Sequence, residues 1–305
     1  MRLLLWICVA AGLVAQPLSA GAQERQDPTP IGQEPDDLGD VRLLFLRQSA
    51  VLLRPGQVEV ETALSYQHTQ VVSPIFNVRF RQFQLPLAAR VGLSDRAEAL
   101  VTIPAAYVRR DLGFADSVVS SDRAGLGDLT AGLNYEVRRE SAGGPAVITS
   151  VAVGMPTGST PNEEGLSTGT GHWTATVGVQ FIRIVDPVAL FGGVRFEHQF
   201  PARYFLGDAV HDVEPGEAGG YNFGFGFAAN ENVSLSAQIA GSYQAGTRSA
   251  GASVPASSRE AVTWRSALTY RYSASTYIEP SVAVGLNEDT PDFTLGVALT
   301  HRFGR

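Results

Sequence analysis

Trp173-Thr174-Ala175-Thr176-Val177-Gly178-Val179-Gln180-Phe181 alternates apolar or aromatic side chains with small or polar ones without a break. In an extended chain, period two places Trp173, Ala175, Val177, Val179 and Phe181 on one face and Thr174, Thr176, Gly178 and Gln180 on the other. The same period recurs along the chain. Val58, Val60, Leu64 and Tyr66 alternate with Glu59, Glu61, Ser65 and Gln67. Ala97, Ala99, Val101, Ile103, Ala105 and Tyr107 form another row, and Leu129, Ala131, Leu133, Tyr135 and Val137 a third. Further rows are Tyr221 to Phe227, Val233 to Ile239, Val262 to Tyr270 and Phe293 to Phe303. Less regular strands are expected over 76–90, 145–155, 187–198 and 275–286. In the first of these the pattern breaks near Gln82: either Val78 and Phe80, or Phe83, Leu85 and Leu87, take the apolar face, unless a bulge admits both.

These rows decide between two all-β classes. They run for about 10–15 residues, against about five or six in soluble sheets, and a tilted strand crosses a membrane in about 9–11. Tyr66, Tyr107, Tyr135, Trp173, Tyr221, Tyr243, Tyr270 and Phe303 lie at or near row ends, where membrane barrels carry aromatic girdles. The connections alternate as well. Those around Gly92–Asp95, Arg139–Gly144, Val185-Asp186, Ala228–Glu231 and Ser273-Ala274 are short. Those over 109–125, 156–170, 199–218 and 245–258 are long and rich in turn residues. Short turns on one side and long loops on the other belong to outer-membrane barrels, and closure removes edges that hydrocarbon does not tolerate. The fold expected is a transmembrane antiparallel β-barrel of about twelve strands over residues 55–305, in the bacterial outer membrane.

The segments ahead of the barrel fit export. Arg2 followed by the apolar run Leu3–Val14 and by Ala20-Gly21-Ala22 predicts a cleaved signal peptide over 1–22. Cys8 is the only cysteine and lies in that peptide, too early for a lipoprotein site, so no disulfide or thiol chemistry is expected of the mature chain. Residues 23–54 are expected to form a flexible periplasmic arm; Pro28, Pro30, Pro35 and several acidic groups leave its first part little to bury. The formal net charge of −7 and the absence of a basic cluster interleaved with aromatics exclude a nucleic-acid partner.

Three stretches carry a family resemblance. Phe45-Leu46-Arg47-Gln48-Ser49-Ala50-Val51-Leu52-Leu53-Arg54-Pro55-Gly56-Gln57, Gly125-Leu126-Gly127-Asp128-Leu129 and Pro156-Thr157-Gly158 resemble signatures of outer-membrane barrels labelled phenol meta-pathway degradation proteins, many of them called transporters. The resemblance spans about residue 41 to the end. It implies a barrel that passes hydrophobic or aromatic small molecules and transfers no catalytic residue. Phe303, third from the end, resembles the aromatic recognition signal of the barrel-assembly machinery, an expected partner together with outer-membrane lipid and lipopolysaccharide.

No motif points to catalysis. His68, His172, His198, His211 and His301 show no local metal-ligand spacing, and no nucleophile elbow or phosphate loop is present, so neither metal nor cofactor is expected. Glu59, Glu61, Glu98, Glu136, Arg195, Glu197, Arg265, Arg271 and Glu279 fall on the parity opposite the apolar rows and are expected to line the lumen. Two roles stay open for them: a charged constriction that selects solutes, or an internal polar plug of Arg–Glu pairs. Glu163 and Glu164 read as a solvated loop tip. The function expected is passive passage of small solutes, with 156–170 and 199–218 as the gate. Rival readings are a lipid-modifying enzyme using outward Ser266 and His301, and an adhesive barrel binding through its loops.

Overall fold

The computed structural model describes residues 52–304, except 74–75, 115–116, 142–143, 161–165 and 207–208. The expected signal peptide with Cys8, the arm up to residue 51, and Glu163 and Glu164 lie outside the described residues. Strands follow one another as β1 (Val58–Val72), β2 (Asn77–Ser94), β3 (Ala97–Phe114), β4 (Ser117–Leu126), β5 (Leu129–Arg138) and β6 (Ala146–Met155). Then come β7 (Thr174–Val185), β8 (Val188–Gln199), β9 (Ala202–Leu206), β10 (Ala209–Glu214), β11 (Ala218–Asn230) and β12 (Val233–Gln244). The last are β13 (Arg248–Ser249), β14 (Ala252–Ser253), β15 (Arg259–Arg271), β16 (Thr276–Gly285) and β17 (Phe293–Phe303).

Each wall strand pairs antiparallel with the next, and β1 pairs with β17 from Val58↔Phe303 to His68↔Phe293, which closes a 12-strand barrel. Closure meets the demand that the membrane makes of such a pattern: with each of the twelve wall strands flanked by two neighbours, the ring leaves no open end in hydrocarbon. The period-two rows keep their faces around the ring. Tyr66 stands opposite Phe83 and Leu295, and Phe83 opposite Tyr107. Leu64, Leu85, Val177, Phe223 and Leu295 are exposed on the outside, while the intervening Glu59, Ser65, Glu98, Asn134, Thr269 and Thr300 are buried inside. Such a barrel is inverted relative to a water-soluble one.

The ambiguity over 76–90 resolves without a bulge, because the β1–β2 register is unbroken through this stretch. Phe83, Leu85 and Leu87 face out, and Val78 is buried on the opposite parity. The stretch 109–125 corrects the expectation of a loop: β3 continues to Phe114 and β4 returns alongside it from Ser117. The long connections 199–218 and 245–258 also carry strands. β9, β10, β13 and β14 form a second sheet in the order β14-β13-β10-β9 at the long-loop end.

One irregularity in the wall positions the site. β4 and β5 share a single edge of β3, with Ala105 opposite Leu126 and Thr102 opposite Thr130. Three steps along β3 therefore match four along its neighbour, so one extra residue is accommodated at Gly127-Asp128, as in a bulge.

Candidate functional site

All nine charged residues expected in the lumen lie on inward positions of their strands. The structure sorts them into clusters. Near the short-turn end Arg90 bridges two carboxylates, reaching Glu59 at 2.5 Å and Glu98 at 3.3 Å. Arg302 reaches the second oxygen of Glu59 at 3.3 Å, and Asn134 Nδ2 donates to Glu98 at 2.9 Å. Thr300 Oγ1 donates to Glu61 at 2.9 Å, and Arg139 pairs with Glu136 at 3.1 Å. Glu98, Glu59 and Glu136 are 0%, 2% and 2% exposed, and charges so buried are tolerable only when paired and hydrogen-bonded. The planar guanidinium can serve two carboxylates at once, which a lysine ammonium does less well.

Two further clusters lie elsewhere on the inner wall. Arg265 and Thr269 both donate to Glu279, at 3.1 and 2.9 Å. Glu197 accepts from Thr176 at 3.3 Å and from Gln199 at 3.1 Å, and Gln244 continues the chain to Gln199 at 3.3 Å. Arg195 lies on the same strand two residues from Glu197 and packs against Gly220. Arg271 donates to the Asn232 side chain at 3.3 Å, at the short-turn rim. Arg90, Arg302 and Asn134 were not among the candidates read from the sequence. Their inward parity could have been counted, but for Arg90 the broken pattern on β2 hid it.

At the opposite end a second arrangement is built on the wall's extra residue. The Asp128 carboxylate accepts from Gly158 N at 2.9 Å, from Thr170 N at 2.5 Å and from Thr170 Oγ1 at 2.7 Å. Thr157 Oγ1 donates to Gly127 O at 3.1 Å and accepts from Leu129 N at 2.9 Å. Thr168 Oγ1 donates to Leu126 O at 2.7 Å, and Arg123 donates to Leu166 O at 3.4 Å. Both limbs of the 156–173 connection are thereby fastened to the offset between β4 and β5. A side chain at Gly158 could not be accommodated, since a Cβ there would stand 2.7 Å from Gly169 Cα and 2.9 Å from the Gly127 carbonyl carbon.

This latch extends to the second sheet. The Tyr204 hydroxyl on β9 donates to Thr170 O at 2.6 Å and lies 3.0 Å from His172 Nδ1. Both rings are buried. Burial, with the Asp128 charge nearby, pushes the Tyr204 hydroxyl up to about 12, and burial holds the His172 ring below the usual imidazole value. Asp128 and the Pro-Thr-Gly tripeptide, read from the sequence only as signatures, thus act together as one fastening.

Nothing comparable assembles around the enzyme candidates. Ser266 on β15 accepts from Trp264 Nε1 at 3.0 Å, while His301 on β17 meets Thr276 Oγ1 at 2.9 Å. β16 separates the two strands, and Ser266 lies level with Val282 and Leu295, six residues along from His301. Among the described residues no group of three or more His, Cys, Asp or Glu could hold a metal ion.

A family profile described as "Putative MetA-pathway of phenol degradation" matches residues 54–303. Among solved structures, the COG4313 outer membrane channel from Pseudomonas putida F1 is similar with a TM-score of 0.68 at 17% identity, over 82% of this chain and 97% of that one. The translocator domain of the autotransporter NalP from Neisseria meningitidis is similar with a TM-score of 0.50 at 10% identity, over 82% of this chain and 90% of that one. At these identities the likeness is one of fold: a closed barrel of the bacterial outer membrane.

Proposed function

The chain belongs to the family described as "Putative MetA-pathway of phenol degradation", and from that premise we propose that it is a passive outer-membrane channel for small apolar or aromatic molecules. The observation that carries the reading is the wall itself. Over one span its outer face is apolar and its inner face is lined by hydrogen-bonded polar and charged groups, several of them in Arg–Glu pairs, so polar groups face a solute path rather than lipid. Saturated Arg–Glu pairs present little uncompensated charge to a passing molecule, which suits a neutral solute better than an ion. The phenol in the family's description supplies the aromatic class. The mechanism needs no energy source: solutes move down their gradient past the loop latched at Asp128.

The test is flux. Vesicles with a lipopolysaccharide outer leaflet resist apolar solutes, so radiolabelled phenol should enter faster when folded protein is present and not when it has been heat-denatured. A neutral sugar of similar mass should gain less. If neither solute enters faster and planar bilayers show no current, the channel reading fails.

A further inference from the structure

We propose that the outer face of β1–β3 at the long-loop end carries a site for the phosphates of lipid A, the phosphorylated anchor of lipopolysaccharide, built from Arg79, Arg81 and Arg109. The site lies on the outside of the wall and stands whether or not the lumen conducts.

The first observation is the register. Tyr66, Phe83 and Tyr107 stand side by side on β1, β2 and β3, with ring centroids 4.9 and 6.4 Å apart. They end the apolar outer rows of these strands, as an aromatic girdle does where hydrocarbon gives way to headgroups. Two residues further along, the next outward positions hold His68, Arg81 and Arg109, again side by side. Arg79, exposed, is the outward position beyond Arg81. Two residues of strand advance by about 7 Å, or about 5 Å along the membrane normal at a tilt of about 40°. The headgroup layer on each side of a bilayer is about 5–8 Å deep, so the guanidinium row falls within it. In outer-membrane barrels the long-loop end faces out of the cell, where the headgroups are those of lipid A.

The second observation is charge. Arg81 and Arg109 lie directly opposite one another, which is unfavourable for like charges unless an anion lies between them. Asp111 supplies one: Arg81 Nη2 donates to its Oδ2, while Arg109 Nε and Ser120 Oγ donate to its Oδ1 at 3.0 and 2.7 Å. The carboxylate is 12% exposed, whereas Arg81 and Arg109 keep 34% and 41% of their side chains accessible. A guanidinium has five N–H donors, so Asp111 holds the two forks side by side without exhausting them, and Arg81 Nε has no hydrogen-bond partner. His68 is engaged separately by Asp292 at 3.2 Å. Asp122, opposite Arg109 on β4, is the second acid of this face among the described residues. Three arginines against two carboxylates leave the patch positive, on a chain whose formal net charge is −7.

The third observation selects a lipid over a free anion. Directly below the arginines, Phe83, Leu85, Leu87 and Ile103 are exposed on the outer face and form an apolar track for acyl chains. Adjacent strands are about 4.8 Å apart, so Arg81 and Arg109 reach a single phosphate together, and planar guanidinium forks match its oxygens in pairs.

Native mass spectrometry of the refolded barrel tests the site. The fold of each protein is checked by heat-modifiable migration, and lipid A is titrated in detergent in its bisphosphorylated and dephosphorylated forms. Wild type should bind the bisphosphorylated form at least about tenfold more tightly, a comparison that needs no variant. Arg79→Gln/Arg81→Gln/Arg109→Gln should lose that preference. Arg203→Gln/Arg248→Gln, which removes exposed arginines of the second sheet, should keep it. Inorganic phosphate at the same concentration as the lipid should displace little of it. Equal affinity of wild type for the two forms, or an undiminished preference in the triple variant, overturns the proposal. Displacement of most of the lipid by equimolar phosphate overturns it in favour of a free anion.

Discussion

Replacing Asp128 by Ala should free the 156–173 connection while leaving the barrel intact. Three hydrogen bonds converge on this carboxylate, from Gly158 N, Thr170 N and Thr170 Oγ1. Hydrogen bonds to a charged group contribute about 1.5–3 kcal/mol each. The site is only part-buried, so freed donors recover some solvation, and the lower bound applies. The three together then hold the connection by about 4.5 kcal/mol, which corresponds to roughly a 10³-fold change in the opening equilibrium. Amide hydrogen exchange reads such local opening directly. Peptides covering 156–173 should exchange roughly 10³-fold faster in the variant, with β15 and β16 unchanged. Acceleration below tenfold would refute the latch, and acceleration spread equally over β15 and β16 would show that Asp128 supports the barrel instead.

Gly158→Val should give the same local loosening by a steric route, since its Cβ would collide with Gly169 and Gly127; exchange in 156–173 checks it. His172 should make the latch pH-dependent. Burial holds its ring below the ordinary value of 6.5, although Asp128 and Glu197 oppose that shift, so the opened loop takes up a proton more readily than the closed one. The closed loop is then at full strength above pH 6.5 and weakens as the pH falls below it; a His172→Gln variant should lose that dependence in the same exchange measurement. Arg90→Leu leaves Glu59 and Glu98 buried without their shared cation, a loss of about 3–5 kcal/mol that should lower the urea midpoint of the refolded barrel. A similar midpoint would mean that water already solvates this cluster.

The parts of the fold legible in the sequence are those that lipid dictates. Trp173–Phe181 could be read residue by residue because hydrocarbon on one face and polar groups on the other enforce period two. Beyond the membrane the constraint lapses. β4 carries Ser120, Ser121, Asp122 and Arg123 on both faces, as a hydrogen-bonded ribbon in water can, so it read as a loop. Val78 confused the reading of β2 for the same reason. Inward parity identified Glu59, Glu98 and Glu279, but their partners depend on register. That Arg90 meets both Glu59 and Glu98 follows from β2 lying between β1 and β3 with particular pairs aligned. The role of Asp128 was out of reach, because its donors lie 30 and 42 residues away in a connection with no periodicity.

The seam between β1 and β17 has a consequence for assembly. Every other contact in the wall joins strands close in sequence, so hairpins can form early and independently. The seam alone joins the two ends of the described chain, from Val58↔Phe303 to His68↔Phe293. Chain entropy opposes such a long closure only logarithmically: relative to a hairpin of roughly 20 residues, bridging roughly 235 adds about 2 kcal/mol. The cylinder can therefore be zipped piece by piece and sealed in a last, inexpensive step, after which no edge remains from which it could unravel.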